Sequence, residues 1–164
     1  MLPANFAIRP GTLDDAETVV AQRRAMFLEM GYRDEVAMDR MCTEFRPWLV
    51  RKMQAGEYLE WLVVGTDGEI AAGLGLWLMD WPPHILGPGR WRGNVLNVYT
   101  RPEHRRNGLA RSLMAKAIEW CRANGVSTVI LHASSEGRLL YESMGFAPTN
   151  EMRIVLDLPG TKAG

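Results

Sequence analysis

The sequence predicts a mixed α/β domain, and three observations carry that prediction. Segments of strand-like and helix-like periodicity alternate along 164 residues in the order β-α-α-β-β-β-α-β-α-β. Asp67-Gly68, between two apolar β-rich runs, marks a hairpin, so part of the sheet is antiparallel. Residues 95–100 form a strand that turns through a basic, Gly-containing hexad into a helix, as in parallel α/β units. The length is that of one domain spanning residues 1–164, with a sizeable core.

Taken in order, Phe6 and Ile8 alternate with other residues as a short strand that Pro10-Gly11 ends. Thr12 and Asp15 have the spacing of a capping box, and Asp14, Asp15 and Glu17 suit a helix N-terminus. That helix runs toward Met30 and stops at Gly31. A second helix covers residues 35–55, with Pro47 predicting a kink or a break near Phe45. Residues 58–66 and 69–79 are the hairpin strands. Gly73 and Gly75 in the second mark a bulge or a close contact. The Trp- and Pro-rich residues 80–89 form a rigid ordered loop.

Leu109, Leu113, Ala117 and Cys121 recur every four residues, flanked by Ala110, Met114 and Ile118, giving an amphipathic helix that Asn124-Gly125 stops. Residues 126–133 are a β-branched buried strand. A helix from Ser134 carries Leu139, Leu140, Tyr141 and Met144 and ends at Gly145. Residues 152–158 alternate as a closing strand, and a polar tail follows from Pro159.

Composition excludes several classes. Lys and Arg total 19 and Asp and Glu total 19, so no global field draws nucleic acid or an anionic membrane. No apolar run is long enough to span a bilayer, and the N-terminus lacks a signal-peptide pattern, so a cytoplasmic location is expected. Cys42 and Cys121 read as free thiols. The three histidines lack metal-ligand spacing, and no metal is expected.

The run Arg105-Arg106-Asn107-Gly108-Leu109-Ala110 opens the third helix. The first amides of a helix have no intrahelical acceptor, and the macrodipole favours an anion there. Gly108 permits close backbone approach and the arginines add charge, which is chemistry for holding a phosphate. The run lacks the Lys-Ser/Thr end of a P-loop and the full dinucleotide glycine pattern.

Farther on stands Leu140-Tyr141-Glu142-Ser143-Met144-Gly145-Phe146. The two blocks together, on these elements, resemble the GCN5-related N-acetyltransferase (GNAT) superfamily over about residues 5–158. The resemblance implies a mixed sheet of about six to seven strands with about four helices, and a splay between the strand before the hexad and the next parallel strand. Acetyl-CoA is the implied cosubstrate. Its pantetheine would pair with the backbone of Val98, Tyr99 and Thr100, and its carbonyl would accept an N–H near Val98. Its diphosphate would sit on Arg106, Asn107, Gly108, Leu109 and Ala110, beside Arg105. Ser134 stands where the family often has an Asn that bonds pantetheine; its shorter hydroxyl leaves that contact open.

The implied activity is acetyl transfer to a primary amine of a small molecule or peptide by direct attack. A phenol titrating near ~10 protonates a thiolate whose thiol titrates near ~8.5 only uphill, so Tyr141, the implied acid, works largely as a hydrogen-bond donor. Many relatives carry a Glu base on the fourth strand. This strand offers Asn94 and Asn97 instead, and Asn97 is the candidate to orient substrate or water. Asp80, His84 and His132 are weaker base candidates, with His132 read first as a core histidine and His104 as exposed. Trp77, Trp81 and Trp91 flank an expected acceptor pocket formed by the first two helices and the loop at Trp81. Glu29, Asp34 and Glu35 are candidates to attract a cation. The alternative is a non-catalytic acyl-CoA binder or sensor of the same fold. The resemblance also leaves a homodimer open.

Overall fold

The computed structural model describes residues 2–85, 87 and 89–156. It comprises two compact units, residues 1–132 and 133–164. In the first, β1 (Phe6–Pro10), α1 (Ala16–Glu29), α2 (Glu35–Gln54), β2 (Tyr58–Gly65), β3 (Ile70–Asp80), β4 (Trp91–Thr100), α3 (Leu109–Ala123) and β5 (Thr128–Leu131) follow in order. The sheet order is β1-β2-β3-β4-β5, antiparallel throughout except for the parallel pair β4 and β5. The described strands number five, against the six to seven expected.

The two sheet faces follow from side-chain alternation. Trp61, Leu74 and Leu76 face α3, whose Leu109, Leu113, Met114, Ala117 and Cys121 are buried as their spacing predicts. Tyr58 and Glu60 face the α1/α2 side, where Tyr58 packs with Ala16, Val19, Phe45 and Leu49. The glycines of β3 make room on that side. A Cβ at Gly75 would fall 1.7 Å from the Tyr58 hydroxyl, and one at Gly73 would fall 2.2 Å from Oε1 of Gln22. The close contact expected at these glycines is present. The bulge is present too, but its extra residue belongs to β4: between Gly73↔Tyr99 and Gly75↔Leu96, Asn97 and Val98 oppose Leu74 alone.

The capping box forms as expected. The Thr12 N–H donates to Oδ2 of Asp15 at 2.8 Å, and Arg9 clamps the same carboxylate at 2.7 and 2.8 Å. The hairpin turn at Gly68 has φ 84° and the helix stop at Gly31 has φ 97°.

Four expectations need correction. The second helix does not break at Pro47: α2 is continuous, because burial of Met38, Phe45 and Leu49 along one stripe outweighs the single hydrogen bond proline removes. The fifth strand is shorter than 126–133. Gly125 and Val126 are spent on the turn after α3, where Val126 N–H donates to the Cys121 carbonyl at 2.9 Å.

In the second unit the helix begins later than Ser134, at α4 (Arg138–Ser143), after a turn that Ser134 caps. Residues 152–156 are not a strand, and Met152, Ile154 and Val155 are 79–94% exposed. Alternation alone makes no strand without a ladder to join. Residues 157 and 158 of that expected strand, and the tail from Pro159, lie outside the described residues.

Candidate active site

The site rests on two departures from regular structure in β4 and on the turn that follows it. The first departure is where its pairing ends. β4 and β5 are in register from Arg92↔Thr128 to Val95↔Leu131, and there β5 stops. β4 continues through Leu96, Asn97, Val98, Tyr99 and Thr100 with a partner on the β3 side only. The pairing thus ends where the resemblance expects a splay, and the β5-facing edge of that stretch has no strand partner among the described residues.

The second departure is the bulge. Asn97 has φ 54°, the left-handed region that Asn tolerates better than most residues. The extra residue turns the Asn97 side chain to the face that Leu96 also occupies, toward α1 and α2. There it is buried, and both ends are engaged: Nδ2 donates to the Tyr58 hydroxyl at 3.0 Å, and Oδ1 accepts from Nη1 of Arg23 at 2.6 Å. A bulge also removes one backbone group from the ladder.

The turn after β4 supplies the third part. Arg106 has φ 62° and Gly108 φ 74°, so two left-handed residues alternate with ordinary ones just before α3. Alternation of that kind points successive amides to one side. Among the described residues, the N–H groups of Arg106, Asn107, Gly108, Leu109 and Ala110 donate to no acceptor of the chain, and the first helical bond to Gly108 comes from Ser112 at 3.0 Å. An anion fits this cradle through both hydrogen bonds and the α3 dipole.

The remaining expected site residues fall as follows. Arg105 is engaged: its guanidinium holds Glu29 at 2.5–2.6 Å and the Thr100 carbonyl at 3.0 Å, while Arg106 has no ion-pair partner among the described residues. Leu109 buries its side chain and offers only its amide. Asn107 donates to the His104 carbonyl at 3.2 Å. In the second unit, Ser134 Oγ accepts from the Gly137 N–H at 3.2 Å. Tyr141 is half-buried against Phe146 and Gly137, and burial raises its phenol pKa.

Several weaker candidates are occupied elsewhere. Asp80 pairs with Arg90 at 3.3 Å, His132 is exposed instead of in the core, and His104 is half-buried edge-on to Phe6 at 5.4 Å. Glu29 and Glu35 are taken by Arg105 and Arg24, and Asp34 caps α2 through the Ala37 N–H, so none is a free cation trap. Trp77 packs against Trp48, while Arg92 covers Trp81 and Arg90 covers Trp91.

Sequence reasoning missed Glu60, Tyr58 and Arg23. Glu60 is 3% exposed, and neither carboxyl oxygen has a hydrogen-bond partner of good geometry. Burial pushes its pKa up to about 8, with the Tyr58 hydroxyl and the Leu74 backbone only partly countering that. Oε1 of Gln22 is also unpartnered, and both oxygens crowd the space above Gly73. A neutral Glu60 resolves both, because its O–H can donate where a carboxylate would face another acceptor. The signal in the sequence was one Glu in the otherwise apolar run Tyr58-Leu59-Glu60-Trp61-Leu62-Val63.

Comparisons with known proteins agree with this geometry. Residues 23–146 match the profile of the Acetyltransferase (GNAT) family. A crystal structure of a GCN5-related N-acetyltransferase from Ralstonia eutropha JMP134 is 38% identical, with a TM-score of 0.87 over 92% of this chain and 98% of that one. A predicted acetyltransferase with acetyl-CoA from Clostridium acetobutylicum, 22% identical, superposes with a TM-score of 0.84 over 92% and 96% of the two chains. Human N-acetyltransferase 8 is 33% identical over 63 residues, which span 37% of this chain and 28% of that protein's length. With its profile matched across both sequence blocks and its parallel strands parted ahead of the amide cradle, the chain belongs to the GNAT acetyltransferase family.

Proposed function

We propose that the protein is an acetyl-CoA-dependent N-acetyltransferase that moves the acetyl group to a primary amine of a small molecule or peptide by direct attack. One observation carries the reading: among the described residues, the β4 edge at residues 96–100 has no β5-side partner, and beyond one short turn the five amides at residues 106–110 have no acceptor. The edge suits the amide-bearing pantetheine arm, through the backbone of Val98, Tyr99 and Thr100. The amides, with Arg106, suit the diphosphate.

In the transfer the amine nitrogen bonds to the thioester carbon and the C–S bond breaks. Negative charge develops on the carbonyl oxygen, and a backbone N–H near Val98, beside the bulge, would receive it. Losing a comparable donor elsewhere costs roughly 2.7–4 kcal/mol. The departing thiolate takes a hydrogen bond or proton, for which Tyr141 is the proposed source. An ammonium has no lone pair, so the amine attacks as the neutral species, and the proton its nitrogen then sheds to solvent balances the one delivered to the thiolate.

The Clostridium relative was solved with acetyl-CoA, which supports this cosubstrate. Structural relatives also include a glucosamine-6-phosphate N-acetyltransferase and an aminoglycoside acetyltransferase, which supports a small-molecule amine as the acceptor. The test is thiol release from acetyl-CoA across a panel of amines, beside calorimetry with CoA. Amine-dependent release supports the reading. CoA binding with no release under any amine supports the sensor alternative instead. No binding of CoA ends both.

A further inference from the structure

Arg23 carries a charge that no carboxylate among the described residues neutralises. Arg9, Arg24, Arg46, Arg90, Arg101, Arg105 and Arg138 each have a carboxylate within 4 Å. Arg23 has none among the described residues. It sits half-buried on α1, with Nη1 donating to Asn97 Oδ1 at 2.6 Å and Nε to the Met41 sulfur at 3.3 Å. Its guanidinium carbon lies 4.5 Å from the centre of the Phe45 ring and 5.0 Å from that of Phe27.

Rings and a neutral amide oxygen stabilise a cation only in part. Taking the charge out of water works against it, and burial accordingly lowers the Arg23 pKa. Arginine stays charged regardless, and its planar fork keeps unused donors suited to a carboxylate.

A groove adjoins this cation. Ala37, Arg40, Met41, Glu44, Phe45 and Trp48 line an open concavity of about 330 Å³ on α2. Met41 and Phe45 belong both to that lining and to the contacts of Arg23. Ala37, Met41, Phe45 and Trp48 give it an apolar side, and Arg40 and Glu44 a charged one. Arg23 is also one hydrogen bond from Asn97, the bulge residue beside the proposed carbonyl-binding amide.

We propose that Arg23 receives the carboxylate of the acetyl acceptor, and that the acceptor is a small, partly apolar amine bearing a carboxylate close to its nitrogen, as an amino acid does. This assignment rests on the acetyltransferase reading. A single negative charge fits better than a doubly charged phosphate, because Glu44 shares the groove.

The test compares the common amino acids with their methyl esters as acceptors, in the wild-type protein and in Arg23→Gln. Free acids should exceed their esters in kcat/KM by at least about tenfold, mainly through KM, because the ester leaves the guanidinium unpaired. In Arg23→Gln the preference should collapse while calorimetric CoA affinity is unchanged. Esters used equally well or better, or a preference that survives in Arg23→Gln, would overturn the assignment. If neither form turns over, N-acetylated amino acids are titrated into the CoA-loaded protein. Binding that Arg23→Gln abolishes supports the assignment, and no binding to the wild type overturns it. Failure to bind CoA removes the acetyltransferase reading itself, which the other outcomes leave standing.

Discussion

Glu60 is the residue at which burial and chemistry conflict most directly. Its folded pKa, about 8, lies above the ordinary carboxyl value of 4.5. Below 4.5 both folded and unfolded chains hold the proton, and the full stability is present. Above that pH the unfolded chain releases it and the folded chain does not, so stability falls as pH rises until about 8. Glu60→Gln keeps the shape of the neutral acid and removes the titration. The variant should flatten the pH dependence of unfolding between about 4.5 and 8 and be the more stable protein at pH 8, by denaturant melts at several pH values. Equal slopes for the two proteins would show that Glu60 ionises freely in the folded state. Tyr141 belongs to the same scale. Tyr141→Phe should lower turnover at least roughly tenfold while leaving CoA affinity nearly intact, because only the hydroxyl is lost. Unchanged steady-state rates would remove it from the mechanism.

At the scale of elements, β4 depends on a conformation that few residues tolerate. Asn97 does two jobs there. Its backbone accepts φ 54°, and its side chain joins Tyr58 to Arg23. The two are separable by substitution. Asn97→Gly keeps the backbone and loses the buried hydrogen bonds, at a cost of about 1–3 kcal/mol. Asn97→Val loses those bonds and adds left-handed strain of at least roughly 1–2 kcal/mol. Chemical denaturation should therefore rank wild type above Asn97→Gly, and Asn97→Gly above Asn97→Val; reversal of the last two would mean the bulge is not strained. The cradle has a parallel dependence at Gly108, whose φ is 74° with open space around a would-be Cβ. Gly108→Val should therefore act through the backbone alone. It should raise the KM for acetyl-CoA by roughly tenfold, the loss of about 1.4 kcal/mol of binding, with little change in fold by circular dichroism.

For the whole molecule, the proposed cosubstrate would hold a sheet edge that has no strand partner among the described residues. Binding only to the folded state stabilises it by about 2.7 kcal/mol when ligand stands at 100 times Kd. CoA should therefore raise the melting temperature in a concentration-dependent way, and a flat response would contradict the groove. No described helix is long and apolar enough to cross a membrane.

Much of this was legible in the residue order. The apolar period of α3, the hairpin at Asp67-Gly68, the Thr12–Asp15 box and the hexad are local signals, set by steric and hydrogen-bonding rules that act within a few residues. The two motif blocks are local as well, and so the family could be read before any coordinates. Tertiary structure decided the rest. Whether Pro47 breaks a helix depends on what packs beneath it, and whether residues 152–156 form a strand depends on a partner edge. Arg23, the neighbouring pair Tyr58 and Glu60, and Asn97 lie far apart in the chain. They meet only because the glycines of β3 open a space and the β4 bulge turns a side chain across the sheet, and no pattern in a one-dimensional sequence records a contact made over that separation.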